Sequence, residues 1–228
     1  MQSIISAIHE DDRILYLYEK KIITAILRCL NDSEAKIRLI AIKTVFEITK
    51  LLGQHSLRLF NLIFEKIIGC VNDVDETVRD SCLFLSNNSL KDILLSGKYD
   101  ASDMNFPEFI NILKLKLKTM NLEVRLFLLD WIRDIMDFDL YIYFSDFLED
   151  LLFMIGEKEL QGKVEECLSA FEQDLKEKFH DGTLEKYVPK NYINEIVSTL
   201  VKVAKSKSSS LTKYHTLIWL QLIFIFFK

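Results

Sequence analysis

Asn72-Asp73-Val74-Asp75-Glu76-Thr77-Val78-Arg79 decides the fold, because the same phrase stands 41 residues earlier as Asn31-Asp32-Ser33-Glu34-Ala35-Lys36-Ile37-Arg38. The end of the phrase returns as Val124-Arg125, and fainter copies follow at Val164-Glu165 and Thr212-Lys213. The arginine slots are spaced 41, 46, 40 and 48 residues apart. A period of about 40–47 residues carried by helical text marks HEAT or armadillo repeats, in which pairs of helices stack on one another.

The text around the phrase is helical. Ile14, Leu17, Tyr18, Ile22, Ala25, Ile26, Cys29 and Leu30 recur at helical spacing and stop at Asn31-Asp32-Ser33, which can cap the next helix. Ile37, Ile40, Ala41, Val45, Ile48 and Leu52 then mark one side of a second helix that Gly53 ends. Later pairs fall at Leu57–Val71 with Glu76–Leu95, Pro107–Thr119 with Leu122–Met136, and Leu140–Ile155 with Leu160–Phe179. The last pair is Asn191–Lys205 with Leu211–Phe227. The expectation is an all-α, right-handed HEAT/armadillo-like α-solenoid of about five helix pairs. It forms a single solenoid over 1–228 with repeats near 14–53, 57–95, 105–137, 140–179 and 190–227.

Composition agrees. Of 228 residues, only 6 are Gly and 2 are Pro, too few for a turn-rich β architecture, while half are hydrophobic and supply a core. The net charge of −5 argues against a nucleic-acid partner. Cys29, Cys70, Cys82 and Cys167 form no CxxC pair, so no metal is expected, and their repeat positions read as core packing in a reducing, intracellular setting. No charged leader precedes Glu10-Asp11-Asp12, and the apolar run Leu217–Phe227 is eleven residues against the ~20 a membrane crossing needs.

Catalytic chemistry finds no footing. His9, His55, His180 and His215 are isolated, and no phosphate-cradling glycine loop, GxSxG or HExxH is present. The chain reads as non-enzymatic, with no cofactor. The repeated Asp and Arg read as a structural ladder of Asp32, Arg38, Asp73, Arg79 and Arg125, the Asp of one repeat meeting the Arg of the next. Thr119 and Glu159 take the later Asp slots, and Glu165 and Lys213 the later Arg slots. Trp131 and Trp219 occupy equivalent repeat positions and read as core.

A repeat scaffold binds through an exposed face or edge. The inter-helix turns are the candidates for a protein partner: Asn31, Asp32 and Glu34; Asn72, Asp73 and Asp75; Asn121 and Glu123, all expected on one edge. Lys114, Lys116 and Lys118, and Lys202, Lys205, Lys207 and Lys213, form two basic clusters that suit helix C-termini or anionic headgroups. Thr216 to Phe227 is apolar nearly all round, which raises three expectations: a longer protein, self-association through this helix, or peripheral membrane contact.

Phe60-Asn61-Leu62-Ile63-Phe64-Glu65, the Asn72–Arg79 phrase and Lys91-Asp92-Ile93 resemble one family in order and spacing. So do Asn121-Leu122-Glu123-Val124-Arg125-Leu126-Phe127-Leu128-Leu129-Asp130-Trp131-Ile132 and Tyr143-Phe144-Ser145-Asp146-Phe147-Leu148-Glu149-Asp150-Leu151. The family is the vacuole-morphology HEAT scaffold (ArPIKfyve family), and the resemblance covers residues 16 to 180. It implies a scaffold of a PIKfyve-type phosphatidylinositol-3-phosphate 5-kinase complex, with a FYVE-type phosphoinositide kinase as partner. It also implies support of phosphatidylinositol 3,5-bisphosphate synthesis, and a cytoplasmic protein peripheral on endosome or vacuole membranes. The family's C-terminal part, which implies phosphatase binding, has no counterpart here, and Ser86-Asn87-Asn88-Ser89 stands where the family favours a more apolar, charged helix. The alternative is a generic HEAT adaptor or transport module that binds a linear peptide or protein partner.

Overall fold

The computed structural model describes residues 12–96, 98, 100–135, 143–182 and 190–227. Among these residues the chain is helical and contains no strand. The helices are α1 (Asp12–Arg28), α2 (Ala35–Leu52), α3 (Phe60–Cys70), α4 (Glu76–Leu85), α5 (Lys91–Leu95) and α6 (Phe106–Leu117). They continue with α7 (Leu122–Ile135), α8 (Phe144–Met154), α9 (Gln161–His180), α10 (Lys190–Lys205) and α11 (Ser210–Phe226). The all-α reading holds. The helix starts expected at Ile14 and Leu211 lie within two residues of those observed. Gly97, Pro189 and His9 lie outside the described residues.

Two compact units divide the chain, residues 1–112 and 113–228, with the boundary inside α6. In the first, α1 packs on α2, α3 packs on α4, α1 packs on α3, and α2 packs on α4. First helices therefore stack on first helices and second on second, which is what a helix-pair repeat requires. Ile23, Leu27, Val45, Ile63, Phe64, Val78 and Cys82 fill this core. Phe109 lies edge-on to Phe60 and Phe64 at ring separations of 5.5 and 4.9 Å. The Asn61 amide Nδ2 ties α3 to the start of α6, donating to the Asn105 carbonyl and to Glu108 Oε2, both at 2.9 Å.

The second unit repeats the scheme: α7 packs on α9, and α8 packs on α9, α10 and α11. Trp131 and Trp219 are both buried, and Phe144 stacks between Phe171 and Trp219 at 3.8 and 4.8 Å. The Ser145 N–H donates to the Tyr192 hydroxyl at 2.9 Å, so α10 supplies a cap for α8. A Cβ on Gly156, between α8 and α9, would lie 2.9 Å from Ser209 Oγ, so only glycine fits without moving the residue that caps α11.

Two details depart from the sequence reading. On α2 the buried stripe is Arg38, Ala41, Ile42, Val45 and Thr49, whereas Ile37 and Ile40 are exposed. Cys29 is exposed rather than core, because it falls in the 3-10 turn Cys29–Asn31 that follows α1; Cys70, Cys82 and Cys167 are buried. Burial pushes the Cys167 thiol up to about 12, and the hydrogen bond to Cys70, together with burial, pushes Cys82 up as well, so both stay protonated. Ser86-Asn87-Asn88-Ser89 forms, with Leu90, a π-helical turn between α4 and α5, with Ser86 and Ser89 buried. The Ser89 hydroxyl shares a hydrogen bond with the Thr49 hydroxyl at 3.0 Å, and Thr49 Oγ1 also donates to the Phe46 carbonyl at 2.9 Å, so the buried threonine is satisfied.

Candidate partner-binding edge and groove

The repeated phrase builds the same turn twice. The carboxylate of Asp32 accepts from the Glu34 N–H at 2.9 Å, and that of Asp73 from the Asp75 N–H at 2.9 Å. Asp residues favour such turns because the side chain mimics a backbone carbonyl. The arginine six residues on reaches back to the carbonyl of the same aspartate: Arg38 Nη1 donates to Asp32 O at 2.8 Å, and Arg79 Nη1 to Asp73 O at 2.5 Å. Each phrase thus locks its own turn to the first turn of the following helix.

Arg38 also bridges repeats. Its Nε and Nη2 donate to both carboxylate oxygens of Asp73, each at 2.7 Å, and its Nη1 donates to Ser33 O at 3.0 Å. The side chains of Arg38 and Asp73 are 9% and 10% exposed, so the fork is almost fully buried. The Arg38 guanidinium holds the Asp73 carboxyl below the usual carboxylate range, and the Arg38 pKa rises in return. The direction is opposite to the one expected: the Arg of the earlier repeat grips the Asp of the later one. Among the described residues Asp32 has no such arginine fork, and its carboxylate accepts from the Glu34 N–H of its own turn.

In the second unit the pattern is looser. Asn121 Oδ1 accepts from the Val124 N–H at 2.9 Å and caps α7. Arg125 forks onto Glu157, in the turn after α8, at 2.6 and 2.7 Å, rather than onto Glu159, which stands in the Asp slot. That bond draws the Glu157 carboxyl below its ordinary value. Glu165, in an arginine slot, accepts from Gln161 Nε2 at 2.9 Å instead.

The candidate residues therefore separate into two sets. Asp73, Arg38, Arg79 and Arg125 are held by these bonds, and Asp75 caps α4 by accepting from the Val78 N–H at 3.1 Å. Asn31, Asp32, Glu34, Asn72 and Glu123 are exposed. The first two turns meet through the Arg38–Asp73 fork, whereas Asn121 and Glu123 belong to the other unit.

A groove beside α2 and α4 was not among the candidates. Its volume is about 690 Å³, and Ile42, Phe46, Phe84 and Leu85 line it, with Glu47 and Asp80 at the rim. The Phe46 and Phe84 rings lie 5.7 Å apart, and Lys50 Nζ sits 3.8 Å from the Phe46 centroid. Phe84 is 56% exposed, an unusual position for a phenylalanine in the middle of a helix pair. Phe84 lies off the Val78, Cys82 and Leu85 stripe that α4 buries, so its exposure follows from helical spacing once that stripe is identified.

The basic clusters are partly spent on ion pairs. Lys114 meets Asp146 at 2.5 Å and Lys202 meets Glu149 at 2.7 Å, across a polar groove of about 740 Å³ in the second unit. Asp150 lines the same groove, and burial raises its pKa against the pull of Lys118. Among the described residues no group of three or more His, Cys, Asp or Glu side chains could hold a metal ion. No helix of the described residues is long and apolar enough to cross a membrane.

Stacked helix pairs with an acidic edge and an apolar groove, and without a metal-holding cluster among the described residues, define the class: an α-helical repeat protein that presents surfaces. The family it resembles is Vac14. A family model described as the Vacuolar 14 Fab1-binding region matches residues 1–92, which hold both the Arg38–Asp73 fork and the groove. Protein VAC14 homolog of Arabidopsis thaliana is 27% identical over 164 residues, covering 70% of this chain and 21% of the relative. Protein VAC14 homolog of Schizosaccharomyces pombe is 26% identical over 170 residues, covering 59% and 21%. Vacuole morphology and inheritance protein 14 of Saccharomyces cerevisiae is 23% identical over 177 residues, covering 61% and 20%. The chain spans about a fifth of the length of these curated relatives. Two solved engineered proteins align with TM-scores of 0.39 and 0.38 at 12% and 13% identity, over 88% and 90% of this chain and 47% and 97% of theirs. Values that low add nothing to the fold, which stands on the helices themselves.

Proposed function

We propose that the chain is a non-catalytic scaffold that holds a Fab1/PIKfyve-type phosphatidylinositol-3-phosphate 5-kinase and so supports phosphatidylinositol 3,5-bisphosphate synthesis at endosome or vacuole membranes. The observation that carries the reading is the match of residues 1–92 to a family model named for Fab1 binding. Two surfaces in that stretch suit a protein partner. One is the edge of Asn31, Asp32, Glu34 and Asn72; the other is the Phe46–Phe84 groove. An exposed aromatic floor with a charged rim has the make-up of a hot spot for a partner side chain.

The test is capture of the kinase from cells by the tagged chain and by two variants. Phe84→Asp places a charge in the groove, and Glu34→Lys with Asn72→Lys turns the edge basic while sparing the Asp32 turn bond; all three positions are exposed, so folding should persist. Loss of capture by either variant, with unchanged circular dichroism, locates the kinase site. Equal capture by both would discard these surfaces. The groove also suits the adaptor reading, in which a linear peptide inserts an apolar side chain between Phe46 and Phe84. Capture of a cargo sensitive to Phe84→Asp, with no kinase, would favour that reading.

A further inference from the structure

We propose that the α10–α11 end of the second unit is a docking surface for an anionic membrane. Helix α11 has two faces. Thr212, Thr216, Trp219 and Ile223 recur every three or four residues and are buried against the unit. Lys213, Leu217 and Phe224 lie about 100° round the helix from that stripe and are exposed, Leu217 by 62% and Phe224 by 69%, with Gln221 exposed beside them. Tyr214 and Ile225 flank this stripe with exposures of 60% and 49%. A helix with an outer face of this kind needs cover from something apolar.

Charge selects what covers it. Residues 196–228 hold five lysines and neither Asp nor Glu, in a chain whose net charge is −5. Lys205, Lys207 and Lys213 are exposed and carry no ion pair among the described residues, and they bracket the start of α11. Of the carboxylates on neighbouring helices, Glu149 pairs with Lys202 and Glu165 lies 4.0 Å from His215 Nε2. Lysines beside exposed Leu and Phe match the two halves of a lipid surface, the lysines meeting anionic headgroups while the apolar stripe sinks to the acyl boundary. No span is implied, since the helix is too short and apolar insertion is one-sided. The surface lies outside residues 1–92 and stands whether or not the kinase reading does.

The experiment is flotation of the full chain with phosphatidylcholine vesicles, with and without phosphatidylserine, at low and high salt. The expected result is co-flotation only with phosphatidylserine present, weakening as salt rises. Each lysine near an anionic surface is worth about a fivefold change in partitioning, so Lys205→Glu with Lys207→Glu and Lys213→Glu should lower it by about a hundredfold or more. Leu217→Ser with Phe224→Ser should also reduce it while circular dichroism stays unchanged. Absence of co-flotation, or wild-type co-flotation by the triple lysine variant, would overturn the proposal. So would a dimer in sedimentation that Leu217→Ser with Phe224→Ser disperses, because a second copy would then cover the helix.

Discussion

Arg38 shows how one residue can hold two repeats. Its guanidinium spends three nitrogens on four acceptors that the repeat needs fixed: two turn carbonyls of its own phrase and both carboxylate oxygens of the next. Arg38→Lys should melt nearly as low as Arg38→Ala, because an ammonium cannot reproduce the planar fork. Asp73→Ala should destabilise strongly by leaving the guanidinium buried without its carboxylate, and Arg38→Met with Asp73→Leu should melt above either single variant. The Asp73 carboxyl is depressed by Arg38, so its contribution is complete above the ordinary carboxylate pKa of about 4 and is lost as pH falls through the lower folded value. Asp150 has the opposite sign: burial raises its pKa, so the wild type loses stability as pH rises through that value. Asp150→Asn should therefore melt higher than wild type at neutral pH, with the difference gone below about pH 4. Thermal melts across pH check both, and a melting difference for Asp150→Asn that does not shrink in acid would contradict the assigned cause.

At the scale of elements, the turn chemistry was legible and the exposure of helix faces was not. Asn-Asp before an apolar helix announces a capped start, and the structure has Asp75 and Asn121 accepting from the backbone where such residues should. Ser209 does the same for α11, accepting from the Thr212 N–H at 3.0 Å, and Ser209→Ala should cost about 1 kcal/mol in a denaturant titration. Periodicity alone placed Ile37 and Ile40 on the packed side of α2. The stripe that is buried runs one residue later, because the Arg38 fork and the Thr49–Ser89 hydroxyl pair satisfy polar groups there. The π-helical turn at Ser86–Leu90 left no signal other than its polarity, and the Phe46–Phe84 groove left only the place of Phe84 off the Val78, Cys82 and Leu85 stripe. The pairing of Phe46 with Phe84 arises from how one repeat meets the next, which lies beyond any single helix's pattern.

At the scale of the molecule, the phrase that returns after 41 residues carried the all-α repeat reading, while the division into two compact units was not written in composition or in linkers, since the boundary falls inside α6. The second unit depends on aromatic packing: Trp219 lies against Phe144, and Trp131 against Phe127 at 6.4 Å. Trp131→Ala and Trp219→Ala should each cost about 3–5 kcal/mol, read as a drop in denaturant midpoint. A scaffold's function, by contrast, should fail through exposed residues that leave stability alone, and the two kinds of variant should separate cleanly. The most direct measurement of the central claim is affinity capture of the tagged chain from its own cells in mild detergent, with mass spectrometry of what co-elutes. A Fab1/PIKfyve-type lipid kinase recovered by the wild type, and retained by a folded control altered only at α11, is the predicted result. Recovery of other partners at comparable depth with no such kinase would contradict it.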